Sequence, residues 1–216
     1  VDTFSGSIDG TGNLVKAGNG TLVLTAGSGF TGTTTVSTGA LEIQSGTGLG
    51  TTDGATTVAD GAALKFWSGS SMTVAEDVTI TGTGVGGIDG SLYNVGGANT
   101  LSGTLTLGAN SRIGATGGSL TVGAVVGGNN VLFVGGAEDT TISGILSGAG
   151  NTQSGSTTSI YKDGAGALTV SGANTYTGDT RVVQGTLTVA SGGSLGNGST
   201  DVYVSSGANL DVDSDV

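Results

Sequence analysis

Histidine and cysteine are both absent from this 216-residue chain, so it has no Ser-His or Cys-His nucleophile system and none of the usual transition-metal ligands. Its chemistry is left to 16 carboxylates and five bases. A glycoside hydrolase or lyase would need two acids spaced across a groove. Glu76-Asp77 and Glu138-Asp139 are adjacent instead, and adjacent side chains of a strand point to opposite faces. Both pairs are therefore expected in surface loops, without a catalytic part. Asp211, Asp213 and Asp215 alternate, which places three carboxylates on one face, and Ca²⁺ takes several oxygens at close range. Calcium is the one cofactor for which the sequence offers ligands. The plain alternative is a solvent-facing acidic strand, and the calcium-binding G-G-x-G-x-D repeat of β-helices is absent. The Gly-rich runs at 82–87 and 164–166 lack the Lys-Ser/Thr and the following helix of a phosphate loop, so they read as turns.

The elements that must position these residues are visible in their parity. From Lys162 to Val182 the distinctive residues occupy every second place: Lys162, Gly164, Gly166, Leu168, Val170, Gly172, Asn174, Tyr176, Gly178, Thr180, Val182. Period two marks β-strand. The parity then flips, and Gly185, Leu187 and Val189 carry the pattern on, so a corner is expected near Gln184-Gly185. Shifted back by 146 residues, the stretch finds a second copy without a gap from Leu14 to Phe66. Lys162 falls on Lys16, Tyr176 on Phe30, Gly185 on Gly39 and Leu195 on Leu49. Upstream, Ile142-Ser143-Gly144 answers Phe4-Ser5-Gly6 at a shift of 138, which makes residues 152–159 an eight-residue insertion. Residues 97–103 resemble 172–178 and form a weaker third copy. The organisation expected is a single array, with one repeat copy at 4–66, degenerate coils at 67–141 and a second copy at 142–216. Asn174 and Tyr176 read as a turn asparagine and a stacked aromatic rather than as ligand contacts, because they recur as Asn99 and Phe30.

The second copy closely resembles the passenger-associated repeat of autotransporters, the Gram-negative type V secretion proteins, which runs roughly G-x-G-x-L-x-L-x-G-x-N-x-Y-x-G-x-T-x-V-x-x-G-x-L. Gly164, Gly166, Leu168, Asn174, Tyr176, Gly178, Val182, Gly185 and Leu187 stand at its positions. The first copy departs at Ala26 and Ser28, where the family has glycine and asparagine, and that turn is expected to be weaker. The resemblance implies a right-handed parallel β-helix, exported across the outer membrane and displayed at or released from the cell surface. It also implies an adhesin or biofilm role, since most family members have one.

Bulk composition fits such a coil. There are 46 glycines and no proline; glycines punctuating short alternating strands supply turns with positive φ, and proline would remove ladder donors from stacked strands. Aromatics are 4%, too few for a broad globular core but enough for a narrow one of Val, Leu and Ile. A net charge of −11 argues against nucleic acid and anionic membrane as partners, and no apolar run reaches the ~20 residues of a membrane span. No signal peptide is present, so Val1 reads as a processed start and the chain as part of a longer array. Strands are expected near residues 14–16, 21–25, 33–37, 41–44, 56–59, 63–66, 78–81, 92–95, 104–107, 119–122 and 131–134, with Trp67 and Met72 at a joint. Roughly 20–25 residues per coil gives an all-β parallel β-helix (β-solenoid) of about nine or ten coils. The function expected is a non-enzymatic structural and adhesive stalk whose partners are glycans or proteins of a host or matrix, or sister molecules. The alternatives are a self-assembling extracellular filament, joined end to end or laterally, and a polysaccharide-degrading β-helix enzyme.

Overall fold

The alternation seen in the sequence becomes an inside and an outside. In a computed structural model that describes residues 1–87, 89–153 and 156–213, the chain winds as a β-solenoid of about ten turns whose strands stack into three parallel ladders, the first running the whole length, the second starting at residues 71–74 and the third ending at Leu146–Ser147. The first sheet stacks Asp2–Phe4, Thr21–Leu24, Ala40–Ile43, residues 63–67, 92–96 and 111–115, Leu132–Gly136, residues 158–162, Asp179–Val182 and Val202–Val204. The third stacks Leu14–Lys16, Thr34–Val36, Thr56–Val58, Val78–Gly82, residues 105–107, Val125–Val126 and Leu146–Ser147. Between them in chain order lies the second, from residues 71–74 through 98–101, Ser119–Val122, Thr140–Ile142, Ala167–Val170 and Thr186–Val189 to Asn209–Val212. One turn takes from 19 residues (Thr21 to Ala40) to 28 (Leu132 to Ile160).

Inward positions hold one continuous apolar column. Leu24, Val36, Leu41, Ile43, Leu168, Val170, Val182, Leu187 and Val189 are all buried in it. Because each turn packs only on its neighbours, stability is close to a sum over adjacent turns. No helix among the described residues is long and apolar enough to cross a membrane.

The middle of the chain differs from the sequence reading. Trp67 and Met72 do not mark a joint: Ala63–Val74 is a single 12-residue strand bent round a corner, with Trp67 40% exposed outside and Met72 buried inside. Its register shifts on both sides of Trp67, so a bulge takes up the bend that would otherwise have ended the strand. Leu92–Leu101 and Leu105–Ala115 bend in the same way. Asn99 therefore lies within a strand whereas Asn174 lies outside one, and the likeness of 97–103 to 172–178 is one of sequence alone. At the insertion, Asn151–Gln153 pairs antiparallel with Ser156–Lys162. Every other pairing among the described residues is parallel. The described part of the insertion is thus an antiparallel pair that leads into the first-sheet rung at 158–162.

Candidate functional site

The repeat residues build corners. Lys16 and Lys162 end strands with their side chains turned inward, 6% and 1% exposed. The Lys16 ammonium donates to Ala17 O (3.3 Å), Gly18 O (2.8 Å) and, one turn on, Thr38 O (3.0 Å). Lys162 donates to Gly164 O and to Gln184 O (3.1 Å). Each cation thus ties the carbonyls of two successive turns, and burial lowers both pKa values, opposed by Asp2 at Lys16 and by Asp163 and Asp139 at Lys162. The next turn passes over at Gly39 (φ 67°) and Gly185 (φ 72°). There a Cβ would strike the Gly18 and Gly20 carbonyls in one copy and those of Gly164, Ala165 and Gly166 in the other. Asn94 performs the lysine's task in the middle turns, donating to Gly97 O (2.8 Å) and Gly117 O (2.6 Å). No motif in the sequence marked it.

Asn174 is 3% exposed; its Oδ1 accepts from Leu146 N (2.7 Å) and its Nδ2 donates to Ser194 O (2.8 Å), joining three turns. Ser28, at the equivalent place, accepts only from Ile8 N (3.2 Å) through its hydroxyl. Tyr176 is fully buried, with its phenol 2.7 Å from Thr180 Oγ1. Gly164, Gly166, Gly178, Leu168, Val182 and Leu187 serve the same corners and core, and none of these repeat residues offers a reactive group to solvent.

The acids are dispersed. Glu76 is not in a surface loop: it is 3% exposed, and its Oε1 accepts from Thr56 Oγ1 at 2.6 Å. Its neighbour Asp77 stays outside and accepts from Thr104 N (2.7 Å). Alternation separated the pair as expected, but it put Glu76 on the inner side of the corner. Burial pushes the Glu76 pKa up to about 7, against the pull of the Thr56 hydrogen bond. Glu138 and Asp139 are exposed, and Asp139 accepts from Ala167 N (2.9 Å). Asp211, opposite Thr188 on the outward side of the last strand, and Asp213 are also exposed, while Asp215 lies outside the described residues. Among the described residues no three carboxylates gather as a metal site.

A built surface lies elsewhere, where the third sheet turns into the first. Successive turns place Asp60, Thr81 and Thr83, Asn110, Asn130 and Asn151 along an open groove of about 440 Å³. Asn110 Oδ1 accepts from Val131 N (3.0 Å) and from Asn151 Nδ2 (3.3 Å), and Asn130 Nδ2 donates to Leu107 O (2.8 Å). Two residues beyond Asn110 and three beyond Asn130, the outward face of the first sheet begins a row of Arg112, Phe133, Tyr161, Arg181 and Tyr203 on consecutive rungs. Their ladder is continuous. Arg112 lies 5.7 Å from the centre of the Phe133 ring, Phe133 lies 5.5 Å from Tyr161, and Arg181 lies 4.5 Å from the Tyr203 ring. A bidentate pair joins Arg112 to Asp163 (2.8 and 2.5 Å). Lower on the same face Lys65 lies 5.3 Å from the Tyr93 ring. All three bases that are not in corners therefore sit over aromatic rings on one face. Turn lengths between 20 and 28 residues hid this row from the sequence, because only the register aligns it.

The profile of the family described as Passenger-associated-transport-repeat matches residues 14–43 and 160–189. Over 98% of its length the chain is 30% identical to a protein named Adhesin BmaC autotransporter, from Brucella suis biovar 1 (strain 1330), across 271 aligned positions. It spans 8% of that relative's length. No solved structure matches.

Proposed function

From the match of two stretches to the passenger-associated transport repeat and the likeness to an autotransporter adhesin, we propose that the chain is part of an autotransporter passenger, a rigid, non-enzymatic adhesive segment displayed at the surface of a Gram-negative bacterium. The observation that carries this reading is the unbroken ladder of the first sheet, ten rungs with a single apolar column behind them. Such a stack resists bending and presents its outward side chains at a fixed spacing of about 4.8 Å per turn. The relative's name, an adhesin, supports the same role. Glu76 faces inward and Asp77 outward, and Glu138 and Asp139 are exposed neighbours outside the strands rather than acids spaced across a groove, so neither adjacent pair supports polysaccharide cleavage. No observation favours a filament subunit.

The test is replacement within the parent protein. Residues 1–216 are exchanged for an inert solenoid of equal turn number, and adhesion of the displaying cells is measured on host-cell and matrix-coated surfaces. An adhesive segment loses attachment under this exchange, whereas a spacer keeps it. Full retention would sink the adhesive reading.

A further inference from the structure

We infer that the Asn-lined groove and the aromatic row beside it form one binding site for an extended, neutral glycan strand lying along the solenoid axis. This rests on the adhesive reading and names the ligand class and the residues. Three features of the surface point to a sugar polymer.

The first is chemical. Amide side chains carry a donor and an acceptor side by side, as vicinal hydroxyls require; Asn110 and Asn130 stand on successive turns of the groove, and with Asn110 Oδ1 and Asn130 Nδ2 engaged internally, Asn110 Nδ2 and Asn130 Oδ1 are the donor and acceptor they turn to a ligand. Phe133 and Tyr161, half-buried on consecutive rungs of the outward face and in contact with each other, add aromatic surface for the apolar C–H side of a pyranose. The second is electrostatic. Arg112 is already paired with Asp163, and Arg181 lies among Asp179, Asp201 and Tyr203. The face presents donors and acceptors without an excess of positive charge, on a chain of net charge −11. An anionic polymer finds nothing to neutralise it; a polyhydroxyl chain finds both halves of its hydrogen bonds. The third is metric. Successive rungs are about 4.8 Å apart, close to the length of one pyranose unit in an extended chain, so a strand lying along the axis meets an asparagine on each of three successive turns and a ring on the two of them that carry Phe133 and Tyr161. The antiparallel pair of Asn151–Gln153 and Ser156–Lys162 supplies both Asn151 to the groove and Tyr161 to the row.

The test uses the whole chain in affinity electrophoresis and calorimetry with cellohexaose, chitohexaose and a mannan as neutral probes, and a heparin hexasaccharide as the anionic one. At least one neutral probe is expected to bind, with little dependence on salt and with affinity that rises from dimer to hexamer. Phe133→Ala and Tyr161→Ala should each weaken it about tenfold. Trp67→Ala, on the same sheet but off the row, should leave binding unchanged and serves as the folded control. Binding to heparin alone, abolished by salt, would overturn the proposal in favour of an anion patch. Neutral binding that survives loss of both rings would place the glycan elsewhere and also overturn it. If no neutral probe binds while the exchange experiment above abolishes adhesion, the groove is wrong and the adhesive reading stands. If adhesion too is unaffected by the exchange, both fall.

Discussion

The two repeat copies, 14–43 and 160–189, share one set of residues but occupy different corners of the solenoid. In the first copy Leu14–Lys16 lies in the third sheet and Thr21–Leu24 in the first. In the second, residues 160–162 lie in the first sheet and Ala167–Val170 in the second. The repeat has moved on by a third of a turn, yet Lys16 and Lys162 bond the corresponding carbonyls, and Gly39 and Gly185 adopt the same left-handed conformation. The repeat therefore encodes a strand–corner–strand unit and does not encode a face. Corners are interchangeable because each one meets the same problem, the carbonyls of two stacked turns converging where the ladder breaks. A cation on a long stem solves it at any of the three.

The largest way to break the likeness is to remove the cation. Lys162→Met leaves the Gly164 and Gln184 carbonyls buried without a donor, a loss of about 3 kcal/mol. The change should speed exchange of the Val183 amide, which bonds Lys162 O, by about a hundredfold. Lys16→Met should cost less, since Lys16 lies near the first turn and is the more exposed of the two. No effect at either corner would mean that the ammonium does not close them, and equal effects would mean that a corner's place in the array does not set its cost.

Between the copies the buried charge has the opposite sign, and pH separates the two cases. Glu76 has a folded pKa raised to about 7, so between its ordinary value and about 7 the folded chain holds a proton that the unfolded chain releases. Stability from this group is fully present below pH 4.5, falls as pH rises through that window and is gone above about 7. Allowing for solvent screening, the loss is roughly 1–2 kcal/mol. Glu76→Gln keeps an acceptor for Thr56 and removes the titration. The difference in urea midpoint between wild type and this variant should therefore grow from pH 5 to pH 8. A constant difference would show that Glu76 ionises normally.

Parity and the 146-residue shift made the copies legible down to the corner at Gly185 and the inward Leu168, Val170, Val182 and Leu187. The signal is strong there because one turn of the sequence contains every partner the corner needs. Glu76 was not legible, because alternation decides which of two neighbours faces inward only once the register is known. The bends of Ala63–Val74 and Leu92–Leu101 escaped for a related reason: glycine and serine read as strand ends, and here they are bulges within strands. The row from Arg112 to Tyr203 was the least legible. Its members lie on consecutive rungs, but turns of unequal length set them at irregular intervals.

The finest difference between the copies is one oxygen. Burial raises the Tyr176 pKa to about 12, so the phenol keeps its proton and shares a hydrogen bond with Thr180 Oγ1. Phe30 has no hydroxyl, and Thr34, the counterpart of Thr180, donates instead to Leu49 O at 3.1 Å. In the second copy the matching carbonyl, Leu195 O, is already taken by Thr200 Oγ1 at 3.1 Å. Tyr176→Phe should therefore cost about 1 kcal/mol, because Thr180 loses its partner with the alternative acceptor occupied. Thr200→Val vacates that acceptor. Alone it should also cost about 1 kcal/mol, but in the Tyr176→Phe background Thr180 can turn to Leu195 O as Thr34 turns to Leu49 O. The double-mutant cycle should then show a favourable coupling of about 0.5–1 kcal/mol in urea unfolding. Strict additivity would mean that Thr180 does not switch acceptor, and that the two copies solve this position by unrelated means.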